Sequence, residues 1–252
     1  MRPRVIPLLL VEDGGLVKTI NFKRRIYLGD PINTVRLFND MEVDELVVLD
    51  ISATKNNSGP NYQLIEDIRN EAFMPLAYGG GVQKSREAID LINIGVEKVV
   101  FNEACFESSN LIRETANLIG SQSLVASIDI KKTFLKKYKI YSYLKRKNID
   151  HSIEHFIKKV EDDGVGEIIF NSVDRDGSWD GYDLELVKLI SQYATVPIVA
   201  CGGAGSLFHL KDVIKAGADA ASAGSLFSFQ GKDMGVLTNY PDSKTLNDLF
   251  YE

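Results

Sequence analysis

Residues 75–82 read PLAYGGGV, and residues 197–204 read PIVACGGA, 122 positions further on. Each stretch is a proline, a short apolar run and a cluster of glycines. The same shift aligns much more of the chain without a gap. Asp40, Val43, Glu45, Gly59, Leu64, Gly80, Gly81, Asp90 and Gly95 fall on Asp162, Val165, Glu167, Gly181, Leu186, Gly202, Gly203, Asp212 and Gly217. A repeat that covers half the chain means that one architecture was built twice.

Around these stretches, short β-rich runs alternate with helical patterns. Strands are expected at 5–11, 46–51, 76–78, 98–102, 124–129, 167–171, 198–201 and 218–223, and helices between them, for example at 31–41, 85–94, 153–163 and 184–193. The strands are apolar at successive positions, which suits a parallel sheet buried on both faces. Eight β–α units in 252 residues predict an α/β fold, a (β/α)8 TIM barrel of two half-barrel repeats, with one domain over 1–252. A doubly wound open sheet is the alternative. It needs edge strands, and none of the eight reads as an edge.

The composition narrows the function. The net charge is -6, so general nucleic-acid binding is not expected. Cys105 and Cys201 lie far apart and form no CxxC pair, which fits a reduced, cytoplasmic protein without disulfides. No apolar run approaches the ~20 residues of a membrane span. The run from Val5 to Val11 is too short for a signal peptide and ends at Glu12 and Asp13. No cofactor is expected. His151 and His155 have ligand-like spacing, but no third ligand is evident, so no metal is expected either.

In such barrels the chemistry sits in the loops after the strands. Gly79, Gly80 and Gly81 follow the third strand there, and Gly202, Gly203 and Gly205 follow the seventh. Backbone without Cβ can approach a phosphate closely, and Ser225 after the eighth strand adds a hydroxyl. Glycines that merely form tight βα turns are the plain alternative. Two symmetric copies favour anion binding, and a substrate with two phosphate-like ends. Among the acids at strand ends, Asp129 and Asp176 are the candidates for proton transfer. Asp13 and Asp180 are expected to cap turns.

Taken together, RVIPLLLVEDGGLVK, DELVVLDISA, PLAYGGGV, LVASIDIK, SVDRDGSWDGYDLEL and PIVACGGAGSLFHL resemble the cyclase subunit of imidazole glycerol phosphate synthase over nearly the whole chain. The resemblance implies a barrel with a phosphate site in each half. It also implies ammonia supplied by a glutaminase, a class I amidotransferase, docked at the strand-start face, with Glu97 as a contact. The ammonia attacks a phosphoribosyl-formimino substrate. The implied catalytic residues are Asp129, Lys18 and Asp176. The implied phosphate- or substrate-binding residues are Asp50, Gly80, Gly81, Asn102, Gly177, Gly202, Gly203, Gly224 and Ser225. Arg4, Glu45, Lys98 and Glu167 match the family's ammonia gate.

The departures from the family are as informative. The family uses two acid–base aspartates. One is retained as Asp129, and the other falls on Leu10, which neither donates nor accepts a proton. Loss of such a group costs roughly 10²–10⁴-fold in rate. Substitution by Glu12 or Asp13 is the alternative. Glu103 replaces a small hydroxyl residue and would repel a phosphate, so Asn102 is expected to face another group. Gly15 and Thr19 replace the usual arginine and glycine beside Lys18. The strand-five loop becomes KKTFLKKYKIYSYLKRKN, with eight basic residues and no acid. It reads either as a solvated hairpin or as an electrostatic collar for a polyanion, with Phe134, Tyr138, Tyr141 and Tyr143 able to stack on a base.

A kept gate and a lost acid suggest a relative specialised for acetamidino modification of a surface-polysaccharide sugar. Its expected partners are the glutaminase, a sugar amidotransferase and a phosphorylated or nucleotide-linked small molecule. The histidine-pathway cyclase itself and a non-catalytic ammonia conduit are the other two readings.

Overall fold

The computed structural model describes residues 2–231 and 235–251. Eight parallel strands close into a barrel: β1 Arg4–Glu12, β2 Leu46–Asp50, β3 Leu76–Gly79, β4 Lys98–Phe101, β5 Leu124–Lys132, β6 Glu167–Ser172, β7 Ile198–Cys201 and β8 Ala220–Ala223. Neighbours follow chain order, β8 pairs with β1, and β5 with β6, so the sheet has no open edge in the barrel wall. This is a (β/α)8 TIM barrel.

The alternation of side chains along each strand sorts the apolar residues into two cores. Ile6, Leu8, Val47, Val100, Val125 and Ile169 belong to a small cluster inside the barrel. Val5, Leu9, Val48, Val99, Ala126 and Ile168 belong to the larger layer shared with the helices. The helices begin on local signals. Asp30 accepts from Asn33 N ahead of Pro31–Asp40, and Ser152 accepts from His155 N ahead of Ile153–Asp162. No helix among the described residues is long and apolar enough to cross a membrane.

Most strand bounds lie within one residue of expectation, and three differences are larger. The eighth strand begins at Ala220, because Asp219 turns its carboxylate back to Ile198 N at 2.8 Å. The strand-one loop is a β-hairpin, Gly15–Ile20 against Arg24–Gly29, and it folds back onto β1 with Val17 opposite Leu10. The fifth strand runs on past Asp129 to Lys132 and pairs with Tyr138–Ser142. Two hairpins therefore rise from the strand-end face.

Candidate functional site

At the strand-start face, Arg4 pairs with both Glu45 and Glu167. Lys98 Nζ bridges the same two carboxylates at 2.8 and 2.7 Å. Each cation touches both anions, so the four residues form a closed ring in the barrel floor. Glu45 and Glu167 are buried, and only this reciprocal pairing offsets their desolvation. Above the ring, Ile6, Val47, Val125, Ile169 and Ala220 belong to an apolar cluster inside the barrel.

At the strand-end face, alternation on β5 turns Val125, Ser127 and Asp129 inward. Asp129 is buried and accepts from Asn102 Nδ2 at 3.2 Å, and that amide also donates to Ser127 O at 2.9 Å. Burial pushes the Asp129 carboxyl up to about 7, against the Asn102 hydrogen bond, with Asp176 and Glu103 adding like-charge repulsion. A carboxyl poised there can both take and return a proton near neutral pH.

Leu10 lies inside the barrel with Leu8, Val17, Val47 and Cys201. It sits beside Leu49 of β2. The first strand keeps the register expected from the sequence. Glu12, two residues on, is committed to an ion pair with Arg25 of the first hairpin. Asp13 has turned out of the strand into the left-handed region at φ 51°.

The first hairpin is clasped to the loop after β6. Thr19 Oγ1 donates to Asp176 Oδ2 at 2.6 Å, Phe22 N to the same oxygen at 3.1 Å, and Asn21 N to Asp176 O at 3.0 Å. This clasp holds the buried Lys18 with its Nζ 3.8 Å from Asp176 Oδ1. Gly177 has φ +68°, and a Cβ there would meet Thr19 O at 2.7 Å. Lys18 in turn lies across Gly224, where a Cβ would come within 2.4 Å of the ammonium. A small cleft is lined by Lys18, Asp176, Gly202, Gly203, Gly224 and Ser225. Among the described residues the buried Ser225 hydroxyl has no hydrogen-bond partner.

The first half-barrel is arranged differently. Asp50 Oδ1 accepts from Ser52 N, Ser52 Oγ and Ala53 N, capping the turn after β2. Gly80 and Gly81 pack tightly: a Cβ would meet Asp50 and Gly59 backbone at 2.7 Å each. Glu103 is buried, and Ser142 Oγ lies 2.9 Å from both of its carboxylate oxygens. Lys145 Nζ lies 3.6 Å from Glu103 and 2.9 Å from Glu107.

Part of the second hairpin's positive charge is paired. Lys132 pairs with Tyr138 and Glu185, Lys139 with Asp150, and Lys131 lies over the Tyr141 ring. Tyr138 donates to Asp183, and Tyr143 packs edge-on against Phe22 and accepts from Arg25 at 3.1 Å. Phe134 is fully exposed at the tip. Tyr138 and Tyr143 brace the hairpins. Trp179 is buried, and His209 accepts from Gly205 N. Burial raises the thiols of Cys105 and Cys201 to about 12 and 11, so neither is an activated nucleophile. No group of three metal-binding side chains exists among the described residues.

Sequence reasoning missed Asn171, Thr19 and Ser142. Asn171 pairs with Asp129 in the register of β5 and β6, and its buried Oδ1 has no protein partner. The period-two alternation from Glu167 through Ile169 would have put it at the mouth. Thr19 and Ser142 act across distant loops, and no local pattern marks them.

Fold and site define a class: a two-fold repeated barrel with a buried carboxyl at one end and an ionic ring at the other. The model of the histidine biosynthesis protein family matches residues 4–233. A protein of Leptospira interrogans, named as a candidate imidazole glycerol phosphate synthase subunit HisF, is 46% identical over 100% of both chains. A candidate subunit hisF2 of Pseudomonas aeruginosa is 46% identical over 98% of this chain and 99% of its own. The imidazole glycerol phosphate synthase subunit HisF of Streptomyces coelicolor is 37% identical over 90% of each. The chain belongs to the cyclase-subunit family of imidazole glycerol phosphate synthase, HisF.

Proposed function

We propose that this HisF-family barrel takes ammonia from a partner glutaminase and uses it for C–N bond formation other than the histidine-pathway cyclisation, in the amidination of a surface-polysaccharide sugar. The observation that carries the reading is Leu10, held in the barrel interior with Glu12 bound to Arg25. Cyclisation by the family's route needs proton transfer on both sides of the mouth, and one side is hydrocarbon.

The remaining parts suit an ammonia-using step. The Arg4–Glu45–Lys98–Glu167 ring gives a glutaminase docked at the strand-start face an ionic gate to open. The apolar interior above it admits neutral ammonia and disfavours ammonium, whose desolvation is far more costly. Asp129 stands where the nitrogen emerges. When ammonia attacks the acceptor carbon, a C–N bond forms, and the nitrogen gives up a proton that Asp129 takes. The acceptor's carbonyl oxygen leaves as inorganic phosphate, after the sugar amidotransferase has moved a phosphoryl group onto it from a nucleoside triphosphate. Lys18, Gly202, Gly203, Gly224 and Ser225 hold the phosphate of a phosphorylated or nucleotide-linked acceptor, and Asp176 positions Lys18. The name hisF2 of the Pseudomonas relative marks a numbered copy, and this chain is more similar to it than to the unnumbered Streptomyces subunit.

The test supplies the assembled glutaminase and barrel with glutamine labelled with ¹⁵N at the amide, a nucleotide-linked acetamido sugar, its amidotransferase and ATP as the phosphoryl donor. The label is expected in the amidine product. Label released only as free ammonia contradicts the reading.

A further inference from the structure

The shift of 122 residues that relates the half-barrels places Asn102 on Gly224 and Glu103 on Ser225. The two corners of the mouth are therefore equivalent by descent of the fold, and they have diverged in charge. In the second half, Ser225 is 6% exposed, its hydroxyl has no hydrogen-bond partner among the described residues, and it lines the cleft with Lys18. The nearest carboxylate to that ammonium is 3.8 Å away, beyond hydrogen-bonding distance. A buried cation and a free hydroxyl in one cleft are what an anion's oxygens need.

In the first half the same position carries a carboxylate. Glu103 is 7% exposed and turned to Ser142, so it fastens the second hairpin over this corner. Its nearest cation, Lys145, is shared with Glu107. The Asn102 amide is committed to Asp129 and Ser127. An anion arriving here would face two buried carboxylates, Glu103 and Asp129, beside an ammonium that Glu103 shares with Glu107.

We propose that the mouth accepts one phosphate group, in the second half, and that Glu103 excludes another from the first. The ligand is then a molecule with a phosphate at one end and an uncharged, hydroxyl-bearing other end. A bisphosphate charged at both ends is refused. This rests on the reading of the mouth as the reacting site and adds its substrate class.

Inorganic phosphate is the probe, titrated into the full chain by calorimetry and by amide NMR shifts. One phosphate per chain is expected, with shifts at Gly203, Gly224 and Ser225 and none at Gly81 or Glu103. Ser225→Glu, which copies the first half into the second, weakens binding by roughly tenfold or more. Lys18→Ala does the same without adding bulk. Glu103→Gln keeps an acceptor for Ser142 and opens the first corner to a second, weaker equivalent. Two equivalents in the unaltered chain, shifts centred on Gly81 and Glu103, no binding, or a Glu103→Gln variant that still takes one would each overturn the proposal. No ammonia or turnover enters this measurement, so its result stands apart from the fate of the amidination reading.

Discussion

The Asn102 amide donates to the Asp129 carboxylate at 3.2 Å, the one side-chain hydrogen bond Asp129 accepts among the described residues. A single weak donor does not offset burial, so the carboxyl keeps its proton up to about pH 7. In the unfolded chain it ionises near its ordinary value of 3.8. Between these values the folded state binds more protons than the unfolded state, so stability falls as pH rises through this window. Asp129→Asn removes the penalty. The variant should gain on the order of 2–4 kcal/mol relative to the parent between pH 4 and pH 8. Urea denaturation at both pH values checks this, and an offset that does not change with pH contradicts it.

Thr19→Val removes the 2.6 Å bond to Asp176 and leaves that oxygen to Phe22 N alone. A loss of about 1–3 kcal/mol is expected, the cost of an underserved buried acceptor. Hydrogen exchange should quicken in the amides of Gly15–Ile20 and Arg24–Gly29 as the hairpin lifts. Unchanged protection there would show that the clasp does not hold Lys18 in the cleft.

Lys98→Met breaks the floor ring on one side and leaves Glu45 and Glu167 to Arg4. Removing one partner of a buried ion cluster costs roughly 3–5 kcal/mol. Glutamine hydrolysis by the docked glutaminase should also lose its coupling to product formation. A variant of parental stability would mean that solvent carries the ring's charge.

The barrel was legible from strand periodicity within each half and from the shift of 122 residues, which also puts Glu45 and Glu167 at equivalent strand starts. The floor ring was legible only because Arg4, Glu45, Lys98 and Glu167 match the gate of the family that the sequence resembles. Asp129 was legible as an acid at a strand end, and Leu10 only through that resemblance. The hairpin contacts were not. Lys145 looked like part of a free basic collar, yet it serves Glu103 and Glu107 from a neighbouring loop. Thr19 and Asp176 are 157 residues apart. Asp50 looked like a substrate ligand, but its Oδ1 serves the three donors of the next turn. Such pairings depend on how loops meet in space, which alternation along a strand does not encode.

Leu10→Asp returns a carboxyl to the apolar interior beside Leu49 and Val17. Large destabilisation is expected, because the site offers it no donor. A variant that folds with parental stability would indicate that water or Lys18 already reaches this position.

The most direct test is turnover of the phosphoribosyl-formimino substrate of the histidine pathway by the purified chain, with saturating ammonium salt as the nitrogen source. With Leu10 in place of one proton-transfer group, the rate should lie roughly 10²–10⁴-fold below that of a HisF subunit carrying both aspartates, assayed in parallel. A rate equal to that subunit's would contradict the account, because it would show that Asp129 alone suffices for cyclisation.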